Sequence, residues 1–112
     1  MAMADILKRL KRSNGSGERR AVVGETTVAS ASETQVVEGN DYFAPETVNW
    51  DYLEPSPKTT VCHWKGVATY YDVVAEGERL PAAAWTYEDP SEAASGIKGH
   101  VAFWGGVKVR RG

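Results

Sequence analysis

The chain has 112 residues, thirteen Lys and Arg against fifteen Asp and Glu, a formal net charge of −2 and a single cysteine. That length fits one small domain with a modest core, and one cysteine excludes both an internal disulfide and a Cys-x-x-Cys zinc pair. The charge is uneven: residues 1–20 carry six basic and two acidic side chains (+4) and the remainder seven and thirteen (−6), so the body is poorly suited to wrapping a nucleic-acid backbone.

No apolar run approaches the ~20 residues that span a bilayer, and the first residues lack the hydrophobic core of a secretion signal. With an unpaired cysteine, this suits a reducing, cytoplasmic setting. Residues 1–20 read as a flexible basic segment and residues 21–112 as a single β domain. Within the first segment, residues 4–12 have helical character, with Ile6, Leu7 and Leu10 on one face, and Ser13-Asn14-Gly15-Ser16-Gly17 follows as linker. A basic amphipathic stretch of this kind offers contact to an anionic membrane surface or an acidic protein partner. So short a helix is marginal by itself, however, and the plainer reading is a solvated tail.

From Ala21 the chain predicts short strands. Arg20–Gly24, Thr26–Ser30 and Glu33–Glu38 form the start of a meander, and Gly39-Asn40-Asp41 reads as a turn into Tyr42-Phe43. Pro45–Asn49 predicts one helical turn with proline at an early position, and Glu54-Pro55-Ser56-Pro57-Lys58 a rigid loop. Residues 67–74 alternate, with Val67, Thr69, Tyr71 and Val73 on one face and Ala68, Tyr70, Asp72 and Val74 on the other, the period of a half-buried strand. That strand turns at Glu76-Gly77-Glu78 and returns as Arg79–Tyr87, a hairpin expected at the centre of the sheet. Asp89-Pro90-Ser91-Glu92 has the form of a capping box and predicts a helix to about Lys98, stopped by Gly99. His100–Trp104 and Val107–Arg110 are expected to pair across Gly105-Gly106.

The central stretch is Thr60-Val61-Cys62-His63-Trp64-Lys65-Gly66, followed by Ala68-x-Tyr70-Tyr71-Asp72-Val73. It resembles the signature of the family catalogued as domain of unknown function 427, whose members typically read Thr-x-Cys-Pro-Trp-Lys-Gly, then a small residue and Ser/Thr-Tyr-Tyr. The likeness continues upstream through Val36–Pro45 and Leu53–Ser56, and downstream through Ala83-Ala84-Trp85-x-Tyr87, Ile97–Trp104 and Gly106–Val109, covering roughly residue 21 to the C-terminus. His63 departs from the family by standing where proline is usual, which removes a fixed φ and adds a titratable group. The resemblance implies a mainly β fold, a small antiparallel sheet domain of the Mss4-like or β-tent kind, with one short helix near 90–98. Some members of that broad group hold ligands in tryptophan-lined cages and others use a cysteine for redox catalysis, while most bind zinc through cysteines this chain lacks.

The family is sometimes labelled nucleotidyltransferase-like. Neither Gly-x-Gly-x-x-Gly nor a phosphate-loop motif occurs, and Asp72 has no evident partners for a magnesium-binding carboxylate trio. No cofactor is implied, and Cys62, His63 and His100 lack metal-ligand spacing.

The candidate ligand-binding residues are Trp64, Lys65, Tyr71, Trp85, His100 and Trp104: rings to stack on a flat or cationic ligand, with Lys65 or His100 as polar anchor. Against this stands core packing, the ordinary use of aromatic residues in a small β domain. Lys65 between tryptophan and glycine reads as a point charge for a phosphate or carboxylate, or as a nucleophile where burial lowers its pKa. Cys62 and His63 are adjacent, so in extended backbone they point apart. Cys62 meets His100 more readily than His63, and Lys65, His100 and Cys62 are the candidate catalytic set. Three functions follow: a domain binding an unknown small molecule, a group-transfer or hydrolytic enzyme in the same pocket, or a protein-interaction module.

Overall fold

Valine, threonine and tyrosine fill the alternating runs, and these residues pack well on a pleated, half-buried surface. The computed structural model describes residues 18–111. Among these residues nine strands run in chain order: β1 (Arg19–Val23), β2 (Thr26–Ala31), β3 (Gln35–Val37), β4 (Asn40–Tyr42), β5 (Leu53–Cys62), β6 (Gly66–Ala75), β7 (Glu78–Thr86), β8 (Val101–Phe103) and β9 (Lys108–Arg111). They form three antiparallel sheets, ordered β2-β1-β9, β3-β4 and β5-β6-β7-β8. The fold is mainly β, as the sequence implied. Among the described residues no helix is long and apolar enough to cross a membrane.

The four-stranded sheet has an apolar cluster on each face. Ala84 on β7 pairs with Tyr71 on β6 and Phe103 on β8, and this row faces the main core with Val73, Phe43 and Val101. One residue on, Trp85 pairs with Tyr70 and Ala102, and that row belongs to a second cluster with Tyr42, Tyr87 and Ile97. The period of two in the backbone is what separates the two clusters. Phe43 reaches the sheet through reciprocal 2.8 Å backbone bonds with Val101, so the β3–β4 hairpin lies beside β8. The β1–β2 sheet closes the main core with Ala21, Val28 and Ala29. At its margin the buried Arg19 guanidinium donates to Asp41 at 3.3 Å, and Thr34 Oγ1 donates to the same carboxylate at 2.6 Å.

Several local expectations change. Glu54–Lys58 is strand rather than loop: β5 is an outer strand, where proline's missing N–H disrupts no sheet interior, and its pairing with β6 is irregular between Pro55 and Thr59. The β3–β4 turn is Glu38-Gly39, with φ of 55° and 81°, so Asn40 and Asp41 are strand residues. The segment after Pro90 is a 3₁₀ helix, Glu92–Ile97, preceded by Ser91 rather than Asp89 and without a side-chain cap bond. Gly105-Gly106 does not close a hairpin. β8 pairs with β7 and β9 with β1, so the glycines carry the chain between two sheets. The proposed helix at residues 4–12 lies outside the described residues.

Candidate functional site

The second face of the four-stranded sheet is incompletely filled. A pocket of about 320 Å³ opens there, lined by Asn40, Tyr42, Lys58, Lys65, Tyr70, Trp85, Tyr87 and Trp104. It is at the small end of ligand cavities, which run to roughly 300–1,000 Å³. Its floor is aromatic: Trp85 meets Tyr42 edge-on at 6.2 Å and lies 6.3 Å from Tyr70. Among the described residues no carboxylate lines it, whereas two lysines do.

Lys65 is placed by the turn between β5 and β6. Gly66 adopts φ 116°, which disfavours any side chain, and the backbone of Asp89 and Pro90 approaches to within 3.6 Å of where a Cβ would stand. Ser91 then fastens the turn, its N–H donating to the Lys65 carbonyl at 2.9 Å and its Oγ to the Trp64 carbonyl at 2.5 Å. The capping-box sequence therefore serves the turn rather than a helix. So held, Lys65 is only 5% exposed. Its Nζ donates to Glu38 Oε1 and lies 5.2 Å from the Trp64 ring centre and 5.6 Å from that of Tyr87. Burial works to lower the Lys65 pKa, but the Glu38 hydrogen bond, with the neighbouring Tyr42, Tyr87 and Cys62, outweighs it and holds the amine above its ordinary value. Lys65 is thus a fixed cation at neutral pH, which opposes its use as an amine nucleophile.

Glu38 makes the matching anion. Lys65 first and Trp64 second hold its carboxyl below the usual value, and Trp64 Nε1 donates to Oε2 at 3.2 Å. Glu38 stands at a positive φ that costs a side-chain-bearing residue about 1 kcal/mol. Nothing local in the sequence links it to Lys65, which lies 27 positions away.

Two hydroxyls complete the polar set. Trp85 Nε1 donates to the Tyr42 oxygen at 3.2 Å, so the Tyr42 hydrogen remains to be donated, and it meets no acceptor among the described residues. The Tyr87 hydroxyl likewise has no hydrogen-bond partner among them. Burial raises the pKa of both tyrosines, so both are O–H donors at neutral pH.

Trp104 is positioned by an irregularity in β7. Ala82 has φ 51°, its N–H donates to Asp72 Oδ1 at 2.8 Å, and its carbonyl accepts from Trp104 Nε1 at 2.7 Å. Asp72, kept ionised first by the Ala82 N–H and then by Arg79, is a support for the bulge.

Of the residues singled out in the sequence, Lys65, Trp85 and Trp104 share the pocket, and Trp64 stands beside it on Glu38. Cys62 packs against the second cluster beneath. Tyr71 faces the other side of the sheet, packed on the main core and 5.5 Å from Trp50. His100 opens on a separate cavity of about 240 Å³ with Glu33, Thr34, Glu46 and Thr47, its Nδ1 3.0 Å from the Lys98 carbonyl. Lys65 and His100 therefore do not converge. Glu38, Lys58 and Asn40 escaped the sequence reading, because each comes from an element whose neighbours are distant in the chain. No group of three or more metal-binding side chains occurs among the described residues.

The fold is mainly β, and two lysines and five aromatic residues line one cavity in it. The chain belongs to the family described as Domain of unknown function (DUF427), whose model matches residues 14–111. No curated protein matches the chain significantly.

Proposed function

We propose that this chain is a small-molecule-binding domain whose ligand enters the pocket between Lys65, Tyr42, Tyr87, Trp85 and Trp104. The observation that carries the reading is an excess of donors on aromatic walls: two lysines and the phenolic hydroxyls of Tyr42 and Tyr87 border the same space, and those hydroxyls meet no acceptor among the described residues. Hydroxyl hydrogens left open beside a cavity are free to be donated to a ligand's acceptor oxygens. A cytoplasmic setting belongs to the same proposal, since Cys62 is free and suits a reducing compartment.

Group transfer or hydrolysis by Lys65, His100 and Cys62 has less support, since Lys65 is held protonated and His100 opens elsewhere. The protein-interaction reading rests on the basic N-terminal segment, most of which lies outside the described residues, or on a free strand edge such as that of β5.

A thermal-shift screen of metabolites against the native chain, Lys65→Met and Trp85→Ala tests the proposal. A ligand at 100 times its dissociation constant adds about 2.7 kcal/mol, a rise of several degrees for a domain this size. Stabilisation of the native chain that disappears in both folded variants is expected. A ligand that stabilises all three chains equally binds elsewhere and overturns the assignment.

A further inference from the structure

The Lys65–Trp64 pair already grips a carboxylate. Glu38 presents one oxygen to the Lys65 ammonium and the other to the Trp64 indole N–H, so both lone-pair faces of one carboxylate are held by the rim of the pocket. This is the geometry by which a protein recognises a carboxylate or phosphate from outside. The supplier is the tip of a two-residue turn, more than half exposed at its side chain and in backbone strain. By contrast Lys65 is buried and fastened from behind by Ser91. The receptor is therefore rigid and the carboxylate on it replaceable.

The surroundings favour the same charge. Lys58 also lines the pocket, 4.9 Å from the Tyr70 ring centre and with no carboxylate partner among the described residues. The Tyr42 and Tyr87 hydroxyls offer O–H donors that an anion's oxygen accepts. Trp85, Tyr70 and Trp104 offer faces and edges for a flat ring.

We propose that the ligand is a planar aromatic anion, a ring bearing one carboxylate or phosphate, and that Glu38 is its built-in competitor. The ring enters between Trp85, Tyr70 and Trp104, and its anionic group takes the place of Glu38 on Lys65. The β3–β4 turn is released as the ligand binds. No covalent step is involved: one carboxylate leaves the ammonium as another anion arrives. The inference rests on the small-molecule pocket proposed above and adds the charge and shape of what it takes.

Isothermal titration of the full chain with naphthoate, naphthyl phosphate and the uncharged naphthamide tests it, in native, Glu38→Gln, Lys65→Met and Tyr87→Phe forms. The anions are expected to bind at least about tenfold more tightly than the amide, the worth of one hydrogen bond to a charged group. Glu38→Gln removes the competitor and raises anion affinity by about the ratio of paired to open rim, several-fold or more, without changing that of the amide. Lys65→Met erases the preference for anions, and Tyr87→Phe, which keeps the ring and the fold, weakens it. The better of the two anions identifies the group as carboxylate or phosphate. Naphthamide binding as tightly as both anions overturns the charge assignment and leaves the pocket reading standing. Unchanged anion affinity in Glu38→Gln overturns the competitor role, and absence of binding by all three probes to every form overturns both readings.

Discussion

The two faces of the β5-β6-β7-β8 sheet are made by the same strands, yet they end differently. On one face Val73, Ala84, Val101 and Phe103 meet Phe43 and the β1–β2 sheet with side chains that carry no polar atom, while Thr69 and Thr86, in the same row as Val101, keep buried hydroxyls without a partner among the described residues. On the other, at alternate positions of the same strands, stand Tyr70 and Trp85, with Tyr42, Tyr87 and Lys65 about them, each combining an apolar body with a polar tip. Packing covers the bodies, and the Tyr42 and Tyr87 hydroxyls keep a hydrogen to donate beside one cavity. Partial closure of a face thus distinguishes an open pocket from a core even where both are aromatic.

Substitution separates the faces most strongly through stability. Phe103→Ala on the closed face is expected to cost about 3–5 kcal/mol in urea unfolding, because nothing refills the space beside Phe43. Lys65→Met on the open face is expected to cost less than about 1 kcal/mol, since it replaces a buried charge with an apolar chain of similar length and leaves Glu38 solvated. Comparable losses at the two positions would make Lys65 a structural residue.

A smaller effect joins the faces. Asp72→Ala deprives the Ala82 N–H of its acceptor and is expected to destabilise by about 1–3 kcal/mol. Through the Ala82 carbonyl it also loosens Trp104, so the Trp104 indole N–H resonance should move although Asp72 does not touch the ring. An unmoved resonance would detach the bulge from the pocket.

The smallest effect is that of pH. The folded-state pKa of Glu38 lies below its unfolded value, so its contribution is present above the ordinary carboxyl pKa of 4.5 and is lost as pH falls through the folded value. Glu38→Gln should therefore show a shallower loss of stability below pH 4.5 than the native chain. On the alkaline side Lys65, Tyr42 and Tyr87 all have raised folded values, so their contributions are present below their unfolded pKa values and are lost as pH rises past 10 and beyond. Lys65→Met should blunt part of that alkaline loss. Identical profiles for native chain and variants would remove the Glu38–Lys65 pair from the account.

What was legible in the sequence was whatever depends on neighbours in the chain. The alternation through Tyr70, Tyr71 and Val73 gave β6 two faces, and Glu76-Gly77 marked the turn to β7. Pairing choice was not local. Gly105-Gly106 has good hairpin chemistry, but β9 finds its partner in β1, more than eighty residues earlier, and the prolines of β5 obscured a strand that sits at a sheet edge. The same limit governed the site. Lys65 stood out because tryptophan and glycine flank it, whereas Glu38, its ion-pair partner, sits in an ordinary turn and acquires its role only when β3–β4 folds across the β5–β6 turn. Tyr70 and Tyr71 have the same composition and context, and only the register decides which faces the pocket and which the core.

The four tryptophans supply the most direct test, because Trp64, Trp85 and Trp104 surround the pocket while Trp50 packs on Tyr71 across the sheet. Two-dimensional NMR of the indole N–H signals during titration with naphthoate is expected to shift Trp85 and Trp104 saturably, to shift Trp64 as Glu38 lets go, and to leave Trp50 in place. No saturable shift, or a uniform shift of all four, would contradict the assignment of the open face as a binding site.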